Sequence, residues 1–120
     1  MKRTILYIED NDMNTLVVKR LLESSSFELV AVPSAEEGIE LARRIHLSLI
    51  LMDLKLPGMD GLTATRTLKA DPRLREIPII AVTGQVERRD QCFEAGCADC
   101  LLKPLTYSKL LIAVQRYGVY

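Results

Sequence analysis

The 120 residues carry 16 basic and 16 acidic side chains, so the chain has no bulk charge with which to hold nucleic acid. At 48% hydrophobic and 27% charged it has the makings of one domain, over 1–120, with its own core. No apolar run approaches the roughly 20 residues that cross a bilayer, and ILYI is too short for a secretory leader, so the expected address is the cytoplasm, with no membrane partner.

Strand-like and helix-like segments then alternate five times, the pattern of a parallel sheet with crossover helices. Strands are predicted at Thr4–Ile8, Glu28–Val32, Leu47–Met52, Ile77–Val82 and Asp99–Leu102. The first, third and fourth are almost wholly apolar, as central strands covered on both faces are. The second is short and carries Glu28, which places it at an edge.

The helix ends are legible. Asn11 or Asp12 caps a first helix through about Ser24, with Met13, Val17 and Leu21 as its apolar stripe. Ser34-Ala35-Glu36-Glu37 is a capping box for a second helix, through about Ile45. Asp60-Gly61 opens a third, which stops before Asp71-Pro72, and Asp71–Pro78 is a surface loop. A fourth runs from about Val86 to Ala95 and is stopped by Gly96. The fifth starts near Thr106 or Ser108 and carries Leu110, Leu111 and Val114.

Cys92, Cys97 and Cys100 have the spacing C-x4-C-x2-C, which matches part of an iron–sulfur ligand run. A fourth cysteine is missing, and Cys92 and Cys100 fall in a helix and a strand, so the three are read as reduced thiols used as small apolar residues. His46, the only histidine, ends a helix and is read as a solvated or C-capping side chain.

The chemistry-bearing residues follow the apolar runs. Glu9 and Asp10 come after ILYI, Asp53 after LILM, Thr83 after IIAV, and Lys103-Pro104 after CLL. Parallel strands open their C-terminal ends on one edge, where ligands bind. Three carboxylates, a hydroxyl and an ammonium converge there. Three clustered acids need a cation, and magnesium, which takes oxygen ligands, suits them. Asp53 is then free to act as a nucleophile forming an acyl phosphate. Taken singly, Asp53 also reads as a turn cap, Glu9-Asp10 as helix N-terminal acids, Thr83 as an N-cap and Lys103 as a solvated lysine. Their joint placement at four strand ends is the specific signal.

The ordered segments ILYIEDND, LILMDLKLPGMDG, IPIIAVTG and LLKPL resemble the receiver domain of two-component response regulators, CheY-like, over the whole chain. IEDNDMN and LILMDLKLPGMDG are most similar to single-domain regulators of the DivK type. The resemblance implies a doubly wound (βα)5 fold with strand order 2-1-3-4-5. It also implies Asp53 as phosphoacceptor; Glu9, Asp10, Asp53 and the Lys55 backbone carbonyl as magnesium ligands; Lys103 as the phosphoryl partner; Thr83 as the hydroxyl that turns inward; and a cis Lys103-Pro104 bond. The implied donor is a sensor histidine kinase or a histidine phosphotransfer protein. The implied target is a protein at the face of the fourth helix, fifth strand and fifth helix. The only chemistry implied is phosphorylation and dephosphorylation of the chain's own aspartate.

One position departs from that pattern: Cys100 stands where an aromatic residue commonly swings inward. A receiver without an output domain is expected, because the fifth helix ends close to Tyr120; a segment cut from a longer regulator or hybrid kinase would read the same way. The competing reading is a magnesium-dependent phosphohydrolase working through an aspartyl phosphate, but Lys55 stands where a D-x-D pair needs its second acid, and there is no cap domain. A flavodoxin-like cofactor binder fails because acidic IEDND would repel the cofactor phosphate.

Overall fold

Arg3–Ile8 (β1) pairs in parallel with both Phe27–Val32 (β2) and Leu49–Asp53 (β3) in the computed structural model, which describes residues 3–118. Ile79–Thr83 (β4) continues from β3, and Asp99–Leu102 (β5) closes the far edge, giving the order β2-β1-β3-β4-β5. The helices are Asp12–Leu22 (α1), Ala35–Arg44 (α2), Gly61–Ala70 (α3), Arg89–Ala95 (α4) and Tyr107–Tyr117 (α5). This is the alternating (βα)5 arrangement the sequence pattern predicts, in the strand order the resemblance implied. The terminal residues of the expected 1–120 domain lie outside the described residues.

The core follows from the period of the strands. Leu6, Ile8, Ile50, Met52, Ile79 and Ala81 face one side and are covered by α2, α3 and α4. Ile5, Tyr7, Leu49, Leu51, Ile80 and Val82 face the other and are covered by α1 and α5. Every residue of β3 and β4 is buried, which is why their sequences are continuous apolar runs that end in a polar residue, Asp53 or Thr83.

Several boundaries move. β3 starts at Leu49, not Leu47; Leu47 and Ser48 are buried, and the Ser48 amide still donates to the Thr4 carbonyl at 2.8 Å. β4 starts at Ile79, after a loop whose Leu74 and Ile77 are themselves buried. The predicted fourth helix is divided into a 3-10 turn, Val86–Arg88, and α4, and no side chain caps either start. Gly96 does end α4, with φ of 111°. α2 ends at Arg44, so His46 lies exposed beyond the Ile45 C-cap.

The α1 stripe is corrected by one position. Val18 and Leu22 are buried, whereas Met13 and Val17 are 67% and 45% exposed. The inward row is 14, 18, 22, its first member being the half-buried polar Asn14, which disguised it; Leu21 of the expected stripe also packs, partly buried, against this core. The adjacent row 13, 17, 21 looked the more apolar. The three cysteines are buried free thiols, with Cys97 pushed up to about 11 and Cys100 to about 12, chiefly by burial.

Candidate functional site

The C-terminal ends of β1, β3, β4 and β5 meet at one edge of the sheet, where each strand hands a polar residue to the loop that follows. Asp53 pairs with Val82 in the β3–β4 ladder, and Thr83 lies one residue further along the neighbouring strand. The Lys103 amide donates to the Thr83 carbonyl at 2.8 Å, which ties the end of β5 to the end of β4. The Lys103-Pro104 bond is cis, as the resemblance implied.

Glu9 and Asp53 are buried, and Asp10 beside them is exposed. The Lys103 ammonium bridges the two buried acids, 3.4 Å from Glu9 Oε1 and 3.4 Å from Asp53 Oδ2. Asp53 Oδ1 accepts from the Lys55 amide at 3.2 Å, folding the following turn back over the strand end. The Thr83 hydroxyl accepts from the Gln85 amide at 3.1 Å, so it caps the loop leading to α4. Glu9, Asp10 and Asp53 each offer a carboxylate oxygen within 4.8 Å of the others, the one cluster of metal-ligating type found among the described residues.

Charge crowding shows in the titration of the site. Burial, then the hydrogen bond and charge of Glu9, push the Asp53 carboxyl up to about 7, against the pull of Lys103 and the Lys55 amide. Glu9 is lowered: burial works against its ionised form, but Asp53, Asn14 and Lys103 together outweigh it. The pair thus favours one proton between two carboxyls near neutrality, as adjacent acids do without a counter-cation. An all-oxygen donor set with surplus negative charge fits a small divalent cation.

Two residues at the site carried no sequence signal that singled them out. Asn14 Nδ2 donates to Glu9 Oε1 at 2.7 Å, and the Tyr7 hydroxyl donates to the same oxygen at 3.4 Å. Tyr7 reads as one more apolar member of β1, and its phenol is raised by burial and by the neighbouring acids. Asn14 had a trace: it is the polar member of an otherwise buried helix row. Both line a cavity of about 380 Å³ that opens beside Lys103, walled by Val17, Val18 and Leu105.

The family profile of the response regulator receiver domain matches residues 5–115. The polar-differentiation response regulator DivK of Brucella ovis is 35% identical over 119 residues, 98% of this chain and 97% of that protein. The receiver domain of sensor histidine kinase PA1611 from Pseudomonas aeruginosa PAO1, solved with a magnesium ion coordinated in its active site cleft, has a TM-score of 0.91 and 34% identity, covering 100% of both chains. The signal receiver domain of a signal transduction histidine kinase from Syntrophus aciditrophicus has a TM-score of 0.88 and 29% identity, covering 97% of this chain and 89% of that one. No helix among the described residues is long and apolar enough to cross a membrane.

Proposed function

The chain belongs to the response regulator receiver domain family, and from that premise we propose that it is a switch thrown by transfer of a phosphoryl group onto Asp53. The observation that carries this reading is the Lys103 ammonium seated 3.4 Å from both buried acids, at the meeting point of three strand ends. Phosphoryl transfer asks a protein for positioning and charge neutralisation more than for covalent help. Both are built here: a buried carboxylate held by a backbone amide, and a fixed cation aimed at it.

Glu9, Asp10, Asp53 and the Lys55 backbone carbonyl would hold magnesium, whose charge neutralises the acids and the transferring oxygens. An Asp53 oxygen attacks phosphorus in line, and the bond from phosphorus to the donor imidazole nitrogen breaks. Lys103 then pairs with the new phosphoryl oxygens. Thr83 exchanges its bond to the Gln85 amide for one to the phosphoryl group, which biases the loop leading to α4.

The donor is a phosphohistidine on a sensor kinase or phosphotransfer protein, approaching past the exposed Met13, Leu16 and Val17 of α1. The target docks on α4, β5 and α5, where Val86 just before α4, Phe93, Tyr107 and Ile112 are large exposed apolar side chains. The setting is the cytoplasm. The test is intact-mass measurement after treatment with an acyl phosphate or phosphoramidate and magnesium. Wild type gains one phosphoryl mass and Asp53→Asn gains none; equal modification of both proteins would remove Asp53 from the role.

A further inference from the structure

Glu9 is bonded asymmetrically. Its Oε1 accepts from three donors: Asn14 Nδ2 at 2.7 Å, the Tyr7 hydroxyl at 3.4 Å and Lys103 Nζ at 3.4 Å. Its Oε2 accepts from one backbone donor, the Asp10 amide, at 3.0 Å. A carboxylate oxygen offers about two lone-pair sites, so Oε1 is fully used and Oε2 has capacity left. The Asn14 contact is the shortest of the four. It comes from the first turn of α1, where the Asn11 side chain caps the helix by accepting from the Asn14 amide at 3.0 Å.

Resting on the receiver reading above, we propose that Asn14 is a positioning residue: it anchors Glu9 by Oε1, leaving Oε2 to face the cation, and it keeps Oε1 bonded when Lys103 leaves for the phosphoryl group. Lys103 cannot serve both needs. It bridges Glu9 and Asp53 in the unmodified site, and a phosphoryl group on Asp53 draws it away from Glu9. A buried acid that loses a donor must recruit another or shift. Asn14 and Tyr7 are donors whose place is set by the fold, Asn14 on a capped helix and Tyr7 on a central strand, so Glu9 stays in register through the cycle. Residues that orient a metal ligand in this way typically change affinity by tenfold or more when removed.

The competing role is mechanical: Asn14 would merely staple the first turn of α1 to the end of β1. The experiment separates the two. Magnesium affinity is measured by calorimetry, and metal-free melting temperature by circular dichroism, on wild type, Asn14→Leu, Asn14→Gln and Val18→Ala. Leu keeps the Cγ branching of Asn, though it is larger, and removes the donor; Gln keeps an amide donor; Val18 is a buried α1 residue on the same row with no polar group to offer Glu9. Asn14→Leu is expected to weaken magnesium binding about tenfold, with Asn14→Gln recovering part of the loss. Val18→Ala is expected to melt several degrees lower yet bind within roughly twofold of wild type. Wild-type affinity in Asn14→Leu overturns the inference, and so do losses in Asn14→Leu and Val18→Ala that track melting temperature alike. Should the Leu variant not fold, Asn14→Ser, whose hydroxyl falls short of Glu9, decides by the same affinity criterion. A wild-type protein that binds no magnesium at millimolar concentration would instead overturn the receiver chemistry itself.

Discussion

Lys103 Nζ lies 3.4 Å from Asp53 Oδ2 although 50 residues separate them in the chain. The contact exists because β3 and β5 flank β4 and β5 runs one residue past the level at which β3 ends, so that Lys103, just beyond Leu102, reaches back to Asp53 in the same opening. An ammonium in that place is a counter-ion to the two buried acids, and it would compete with a metal held by them. Removing it with Lys103→Met should therefore tighten magnesium binding about 3- to 10-fold, the effect of one charge at short range in a partly screened site. The same variant should accept a phosphoryl group at least tenfold more slowly, since no fixed cation remains for the transferring oxygens. Calorimetry and time-resolved intact mass read the two effects, and weaker magnesium binding in the variant would contradict the competition.

The crowding of Asp53 against Glu9 makes metal-free stability depend on pH. The Asp53 carboxyl ordinarily titrates near 3.8 and is pushed up to about 7 in the fold. The folded state thus binds more protons than the unfolded chain between those values, and stability falls as pH rises through that window. Glu9 acts with the opposite sign: it is lowered, so the stability it contributes is lost as pH falls through the usual glutamate range. Denaturant titrations in chelator should show the metal-free protein losing on the order of 2–4 kcal/mol between about pH 4.5 and pH 7.5. Asp53→Asn should flatten that slope, and magnesium should restore most of the loss in wild type only. A wild-type curve that rises across this window would show that Asp53 is not held protonated.

The strand order, the layers and the four strand-end signals were legible because each depends on local pattern: apolar runs of strand length, and a polar residue just past each. The starts of the third and fourth strands differ from the expected ones because burial and hydrogen bonding continue outside the ladder. Ser48 donates across to Thr4 outside the strand, and Leu47 and Ile77 are as buried as strand residues. The α1 face was off by one row because Asn14 serves the site, not the core. A polar residue facing inward lowers the apparent amphipathicity of the row that is in fact buried. Tyr7 was invisible for a related reason: on a β-strand between two covered faces, a phenol aimed at Glu9 has the same sequence signature as a core ring.

Gly61 is required for the approach of α3 to the loop that follows Asp53. A Cβ there would lie 2.5 Å from the Asp53 carbonyl oxygen and 2.9 Å from the Leu54 Cα, both backbone atoms that cannot rotate away. Gly61→Ala should force α3 outward at a cost of about 1–3 kcal/mol, seen as a lower denaturation midpoint. Because the displaced loop holds the Lys55 amide against Asp53, the phosphorylation rate should fall as well. Gly84 is the control: a Cβ there meets nothing within 4 Å, so Gly84→Ala should leave stability within about 0.5 kcal/mol of wild type.

On the receiver reading proposed above, Cys100 would decide how the signal leaves the site. It is buried on β5, paired with Ala81 of β4 and beside Cys92 of α4, in a closely packed layer. Cys100→Tyr should overpack that layer and cost about 1–3 kcal/mol. It should leave magnesium binding within about twofold of wild type, because residue 100 supplies no oxygen to the acidic cluster. On the receiver reading, with no ring to swing, the change that follows phosphorylation would travel through the backbone. Thr83 holds the Gln85 amide by its hydroxyl and the Lys103 amide by its carbonyl, so one residue grips both the loop into α4 and the end of β5. Hydrogen exchange on phosphorylated against unphosphorylated protein should show altered protection in the loop after Thr83, in α4 and at the end of β5. In Thr83→Ala the exchange difference should shrink in α4 while Asp53 still takes up phosphoryl. Changes confined to the loop after Asp53 in wild type would mean that another face carries the output.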